Sequence, residues 1–207
     1  MSLSPNTLPY KLRINGGRLR GRSITFVSDQ VRPTKATVRK TLFNWLRPVI
    51  AGRVCLDCFA GSGILAFEAM SEGAGRVVCL DSDPIVVDQL QQNALRLDVG
   101  GITARRHIFP DVFPVSVEFS DGFDLVFLDP PFGQIDLDGC LAWLVRQACM
   151  RRGCLVYAEH KKSLSVDELS GFEVLKRSQT AGVGFCLLRY IGVDGVDGVD
   201  GVDGVAI

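Results

Sequence analysis

The sequence predicts an α/β protein with a doubly wound, mainly parallel sheet, one antiparallel strand in it, and a small N-terminal β-hairpin and helix before it. From residue 54, short apolar runs alternate with amphipathic segments, as in repeated strand–helix units. A glycine-containing loop follows the first run. The last two runs have no helix between them, which indicates a hairpin and one antiparallel strand. We therefore divide the chain into an extension (1–53), an α/β domain (54–191) and a tail (192–207).

The extension begins with a predicted hairpin over residues 11–27. Its first strand alternates polar and apolar residues, and Asn15-Gly16 is a strong signal for a type I′ turn. Residues two apart on a strand share a face. The returning strand therefore places three cations together: Arg18, Arg20 and Arg22.

A helix follows Arg32-Pro33-Thr34, with Thr34 as its predicted N-cap. Its apolar residues recur at helical spacing, and Pro48 marks its end. The remaining elements follow in chain order. Strands are predicted at 54–58, 77–80, 102–108, 125–128, 155–158, 172–177 and 185–191, and helices at 64–71, 84–97 and 137–149.

Charge is distributed unevenly along a chain whose net charge is zero. Residues 1–53 contain eleven Lys and Arg residues but one acid, Asp29, which leaves the remainder acidic. A concentrated basic segment on a neutral protein favours a polyanionic partner, most simply nucleic acid, over a merely solvated basic face.

Composition argues against several other classes. The N-terminus lacks a signal-peptide pattern and no apolar run reaches membrane-spanning length, so we expect a cytoplasmic protein. The Cys55-x-x-Cys58 pair lies partly inside an apolar run and has no second pair at zinc spacing. We interpret both thiols as core residues and expect no metal site. His107 and His160 stand alone and are interpreted as surface or strand-end residues.

Carboxylates end four of the predicted strands, at Asp57, Asp81, Asp111 and Asp129. In doubly wound sheets, ligands bind at this edge. Residues 59–63, Phe-Ala-Gly-Ser-Gly, form a tight loop whose glycines let a ligand approach the backbone. Asp81, 20 residues after Gly61, suits ribose hydroxyls, and Asp111 suits an adenine amine.

Two cofactors fit this loop. A nicotinamide dinucleotide would place its pyrophosphate here, but Asp57 would repel phosphate groups. S-adenosylmethionine carries no phosphate, and its amino group and sulfonium are cationic, so an acidic residue favours it. We therefore predict S-adenosylmethionine.

The most informative segment is Asp129-Pro130-Pro131-Phe132, which ends an apolar run. A carboxylate and a backbone carbonyl can each accept one N–H of an exocyclic amine, which aims its lone pair at an electrophile. The prolines fix φ in that backbone, and Phe132 can stack on a base. This segment alone does not distinguish guanine from adenine, nor does it exclude a plain strand-ending turn.

Together these residues resemble a class I amino-methyltransferase. The resemblance is narrowed to the RsmD family, the bacterial 16S ribosomal RNA guanine-N2 methyltransferases, by the segments Arg32-Pro33-Thr34, Val38-Arg39, 41–46, Arg13-Ile14-Asn15-Gly16-Gly17, Arg20-Gly21-Arg22 and Ala181-Gly182. It covers about residues 11–190. The resemblance implies methyl transfer to N2 of one guanine, with an assembled small subunit as substrate and no membrane partner, by a protein we expect to be a monomer.

The resemblance also implies the roles of individual residues. Asp129, Pro130, Pro131 and Phe132 would be catalytic. The cofactor would be bound by Asp57, Phe59, Ala60, Gly61, Ser62, Gly63, Asp81, Ser82, Asp111 and Val112. RNA would be bound by Arg13, Arg18, Arg20, Arg22, Arg32, Lys35 and Arg39. Asp81 stands where the family often has Glu, one methylene longer.

Three alternatives remain. A DNA or RNA adenine-N6 methyltransferase would use the same amine clamp, although Phe132 in place of Tyr, the small size and the lack of a target-recognition domain disfavour a DNA enzyme. A non-catalytic ribosome-assembly RNA-binding protein would not need the acids, and a nicotinamide-dependent reductase would bind NADH. The tail, which repeats Gly-Val-Asp, is interpreted as disordered and without assigned function.

Overall fold

A computed structural model describes residues 9–27, 34–112, 121–131, 136–161, 169–180 and 183–192. The elements are two N-terminal strands, β1 (Tyr10–Arg13) and β2 (Ser23–Phe26), helices α1 (Ala36–Leu46), α2 (Ile64–Ser71), α3 (Pro84–Leu97) and α4 (Leu137–Arg146), and the main strands β3 (Val54–Asp57), β4 (Arg76–Asp81), β5 (Ile102–Arg106), β6 (Phe123–Leu128), β7 (Met150–Lys161), β8 (Phe172–Thr180) and β9 (Val183–Tyr190). No helix within these described residues is long and apolar enough to cross a membrane.

The seven main strands form one sheet in the order β5-β4-β3-β6-β7-β9-β8. The pairs β4–β5, β3–β6 and β6–β7 are parallel, whereas β9 is antiparallel to both β7 and β8. The predicted fold class is therefore confirmed, including its one reversed strand.

The chain divides into two compact units. Unit 1 comprises residues 1–53 and 60–108, and unit 2 comprises residues 54–59 and 109–207. In unit 1, α3 packs on β2, β4 and β5, and α1 packs on α2. In unit 2, α4 packs on β7. The three-part division predicted from the sequence stays a prediction.

Local sequence chemistry explains where the helices begin. Asp83 caps α3 by accepting a hydrogen bond from the Ile85 N–H at 2.8 Å, and Pro84 occupies the first turn. Asp136 caps α4 by accepting from Gly139 N–H at 2.6 Å. Helix α2 is buried along its whole length, as expected for an apolar connection in a doubly wound sheet.

The N-terminal hairpin differs from the prediction. β1 and β2 pair antiparallel, but Arg13 is opposite Ser23, so residues 14–22 form the connection and Asn15-Gly16 is not a two-residue turn. The N–H groups of Asn15 and Gly16 instead donate to the Glu68 carboxylate on α2. We call residues 14–22 the basic loop. The placement of its arginines on one strand face was therefore wrong.

The start of α1 also differs. Lys35 is the N-cap residue and makes no capping hydrogen bond through its side chain, so the predicted cap at Thr34 is wrong. The backbone carbonyl of Thr34 accepts from the Arg39 guanidinium at 2.8 Å. The apolar stripe is confirmed through Val38, Leu42 and Leu46, which are buried.

Candidate functional site

In unit 1, the glycine loop (residues 60–63) is held by the end of β4. The Ala60 N–H donates to the Leu80 carbonyl at 2.9 Å, and the Gly61 N–H donates to the Asp81 carboxylate at 2.9 Å. Gly63, with φ of 76°, leads directly into α2. This φ lies in the left-handed region that favours glycine, and a Cβ at Gly63 would also require the Leu90 side chain to move.

Asp81, at the end of β4, has both carboxylate oxygens hydrogen-bonded to backbone. Its second oxygen accepts from the Asp83 N–H at 3.0 Å. Burial raises the pKa of the Asp81 carboxyl, although these backbone N–H groups oppose the shift. Each oxygen retains a further lone pair, so Asp81 can accept a ligand hydroxyl while it holds the loop. Ser82 is exposed, and its carbonyl accepts from Arg106 at 3.1 Å.

In unit 2, the end of β3 presents Asp57, which is 2% exposed. The strand pairs with β6 so that Asp57 is opposite Phe127, and the Cys58 N–H continues the ladder to the Phe127 carbonyl at 3.1 Å. Asp57 and the end of β6 therefore lie on neighbouring strands at the same edge. A buried carboxylate is stabilised by a cationic group, which matches a ligand ammonium.

Asp129 follows β6 directly and is partly buried; Pro130 is buried and Pro131 exposed. Proline has no N–H to donate, so this backbone presents carbonyl acceptors. Phe132 lies outside the described residues, and its proposed stacking role stays a prediction.

Three aromatic rings form a contiguous cluster in unit 2. The Phe59 and Phe109 centroids are 5.7 Å apart, and those of Phe109 and Trp143 are 5.4 Å apart. The Trp143 indole N–H donates to the Asp111 carbonyl at 3.0 Å, which anchors that backbone. The Asp111 side chain is exposed, as is Val112 at 80%. Sequence reasoning missed Phe109 and Trp143, because their spacing of 34 positions carries no local signal.

Sequence reasoning also missed Glu159, which is 5% exposed on β7. It accepts a hydrogen bond from the Tyr157 hydroxyl at 2.8 Å. Like the four acids that were considered, it follows an apolar run, here 154–158, so the same reasoning about strand ends could have found it.

Most of the predicted RNA-binding cations lie on the surface of unit 1. The exposed ones are Arg13, Arg18, Arg20, Arg22 and Lys35. Two arginines of the basic loop also contact helix ends. Arg22 donates to the Leu97 carbonyl at 2.9 Å, and Arg18 donates weakly to the Met70 carbonyl at 3.5 Å. Arg32 lies outside the described residues.

Arg39 was predicted to bind RNA, but its side chain is buried. The residue is 3% exposed, and its guanidinium donates to Glu68 at 3.2 Å, to the Thr34 carbonyl at 2.8 Å and to the Arg13 carbonyl at 3.0 Å. A guanidinium buried by these contacts cannot also reach RNA. Arg39 therefore supports the fold of the extension, and we remove it from the RNA-binding set.

The seven cysteines are buried, reduced thiols. Burial raises the pKa of the Cys58 thiol well above its usual range, and raises the pKa values of Cys140, Cys149 and Cys186 to about 12. Such thiols remain protonated and unreactive. The burial of Cys55 and Cys58 confirms that both are core residues.

The chain is similar in sequence to one family of proteins over most of its length. Residues 12–189 match the family described as "Conserved hypothetical protein 95". Ribosomal RNA small subunit methyltransferase D of Haemophilus influenzae is 34% identical over 184 residues, which is 86% of this chain and 93% of that protein. The protein of the same name from Escherichia coli K12 is 34% identical over 173 residues, 83% of this chain and 86% of that protein.

A solved structure has the same fold. The structure of the protein yhhF from Escherichia coli superposes with a TM-score of 0.75 at 32% identity. The match covers 88% of this chain and 99% of that one.

Proposed function

Because the chain belongs to the RsmD family of ribosomal RNA small subunit methyltransferases, we propose that it methylates the exocyclic N2 amine of one guanine in 16S ribosomal RNA. The proposed substrate is an assembled small subunit, and the proposed active form is a monomer. The observation that carries the proposal is the pairing of β3 with β6. It sets Asp57, suited to a ligand ammonium, on the strand next to Asp129, suited to an exocyclic amine.

The relatives named above are methyltransferases, and the residues of this chain fit S-adenosylmethionine as the methyl donor. The buried Asp57 carboxylate suits the methionine ammonium. Asp81 suits the ribose hydroxyls, and the exposed Asp111 side chain suits the adenine amine. The phosphates of a dinucleotide would be repelled by the Asp57 carboxylate, so that residue favours a cofactor without phosphate.

When bound, S-adenosylmethionine supplies a sulfonium methyl group, so that an amine lone pair forms the new N–C bond as the C–S bond breaks. Asp129 and the Pro130 carbonyl each accept one N–H of the guanine amine, which turns its lone pair away from the ring. One amine proton then passes to Asp129 or to water. The residues contribute mainly by positioning, which is worth several orders of magnitude in rate for two aligned reactants.

Substrate binding is assigned to the exposed cations of unit 1. The basic loop presents Arg18, Arg20 and Arg22 at the surface, and Arg13 and Lys35 lie nearby in the extension. Phosphate contacts of this kind position an RNA without reading its sequence. Access to the amine requires the target guanine to be unstacked or in a loop.

Asp129→Ala tests the assigned role. We expect methyl transfer to fall about 100- to 1,000-fold, because one of two preorganised acceptors is lost. Affinity for S-adenosylmethionine, measured by calorimetry, should change by less than about threefold, since Asp129 grips the base. Asp138→Ala, at an exposed carboxylate of α4, is the matched control and should retain activity. Loss of cofactor binding in Asp129→Ala would contradict the assignment.

A further inference from the structure

We call Asp129 and the Pro130 carbonyl the amine clamp. In unit 2, a second carboxylate, Glu159, lies beside it. β6 and β7 pair in parallel, with Phe127 opposite Tyr157 and Leu128 opposite Ala158. Asp129 directly follows the last residue of β6, and the same register carried one residue further places it beside Glu159 of β7. Neighbouring parallel strands are about 4.8 Å apart, so the two acids lie beside each other where β6 ends and β7 continues to Lys161.

The two acids also share a face of the sheet. Residues two apart on a strand point to the same side, so Glu159 lies on the side of Tyr157. Asp129 directly follows β6, and its negative charge acts on the Tyr157 hydroxyl, which places it near the same side. The Phe127 and Tyr157 rings are in contact, with centroids 6.4 Å apart, which shows that this is one common side.

Tyr157 fixes the Glu159 carboxylate. The tyrosine is fully buried and donates its hydroxyl proton to Glu159 at 2.8 Å. The pKa of the Tyr157 hydroxyl is raised well above its usual range. Burial has the largest effect, and the negative charges of Glu159 and Asp129 add to it. Tyr157 therefore stays protonated and remains a donor. One carboxylate has about four acceptor positions, so Glu159 can accept from a ligand without losing its bond to Tyr157.

Guanine and adenine differ at the atom next to the amine-bearing carbon. Guanine N1 carries a proton and points the same way as its N2 amine, whereas adenine N1 is an acceptor. A carboxylate placed beside the clamp would accept the guanine N1–H and repel the lone pair of adenine N1. We propose that Glu159 is a specificity-determining residue that accepts the guanine N1–H, with Tyr157 as its positioning residue. This inference rests on the proposed function.

The test compares two bases that share the N2 amine. Small subunits are reconstituted with either guanine or 2-aminopurine at the methylated position; 2-aminopurine keeps the amine but has an unprotonated N1. The wild-type enzyme should prefer guanine by about 10- to 100-fold in kcat/KM, because a carboxylate accepts N1–H and opposes a lone pair.

Glu159→Gln should reverse the preference in part. The glutamine oxygen can still accept from Tyr157, while its amide N–H can donate to the N1 of 2-aminopurine. We expect kcat/KM to fall about 10- to 100-fold for guanine and to rise about threefold or more for 2-aminopurine. Tyr157→Phe should lower guanine transfer less and leave transfer to 2-aminopurine nearly unchanged. S-adenosylmethionine affinity, measured by calorimetry, shows whether each variant is folded.

Three results would overturn the inference. Equal losses on both bases would mean a structural role for Glu159, and unchanged guanine transfer would mean no role. A third result concerns both variants. If Glu159→Gln no longer binds S-adenosylmethionine, while Tyr157→Phe still binds it and keeps the wild-type base preference, then Glu159 supports the fold and does not select the base. If the wild-type enzyme does not methylate guanine at all, the proposed function itself fails, and that result is distinguished by the wild-type measurement alone.

Discussion

Removing the Glu68 carboxylate should unfold the N-terminal extension at much lower denaturant concentration. Glu68 is 1% exposed on α2 and receives the Arg39 guanidinium together with the N–H groups of Asn15 and Gly16. Those two N–H groups are 53 and 52 residues distant in sequence. A single side chain therefore holds both the basic loop and α1 against α2.

The expected change in the free energy of unfolding can be calculated from the groups that lose their partner in Glu68→Ala. Arg39 would remain buried with its carboxylate partner removed, and breaking a buried ion pair in this way costs about 3–5 kcal/mol. Two backbone N–H groups would lose a charged acceptor, each worth about 1.5–3 kcal/mol when taken alone. These contributions overlap because they involve one carboxylate. We therefore expect the free energy of unfolding to fall by about 4 kcal/mol.

Urea unfolding followed by circular dichroism measures this change. Glu173→Ala is the control, since its ion pair with Arg189 is at 3.5 Å and the two side chains are 52% and 30% exposed; its removal should cost under about 1 kcal/mol. If Glu68→Ala costs no more than the control, the buried cluster does not hold the extension and the reasoning is refuted.

Two further predictions concern the basic loop and the thiols. Replacing the three arginines of the basic loop with Ala should weaken RNA binding and reduce the slope of log affinity against log salt by about 2–3, at roughly 0.7–0.9 per lost phosphate contact; an unchanged slope in filter-binding titrations would assign these residues to a solvated surface. The native protein should react slowly with a thiol reagent, because its thiols are buried. Its free energy of unfolding should fall as pH rises above about 9. An unfolded thiol loses its proton near pH 8.5, whereas the pKa values of three folded thiols are raised to about 12, so high pH favours the unfolded state. A urea midpoint that is flat from pH 8 to pH 10 would contradict that expectation.

The strand–helix order was predictable because its signals are local. Helix α2 has the predicted bounds and α3 begins at Pro84, since a glycine turn and an Asp-Pro pair specify the start of each helix within a few residues. The reversed strand β9 was predictable because no helix separates the last two apolar runs.

The hairpin turn could not be predicted in this way. Asn15-Gly16 is a strong local turn signal, yet its N–H groups bind a carboxylate on α2. That tertiary contact outweighs the local preference, and no property of residues 11–27 alone reveals it.

The positions of charged residues in the sequence predicted which acids lie at strand ends, but not which charged side chains are buried. The strand-ending acids Asp57, Asp81 and Asp129 lie at the ends of their strands as expected. Arg39 was misassigned because a count of cations in the extension does not separate exposed residues from the one that pairs with Glu68. Glu159 was missed although it follows an apolar run in the same way.

The most direct test of the central claim is transfer of a labelled methyl group to small subunits that lack the modification, followed by mapping of the labelled base. We predict one labelled nucleotide in 16S RNA, an N2-methylguanine, with label lost in Asp129→Ala. Label on adenine N6, or on DNA but not on the small subunit, would contradict the account.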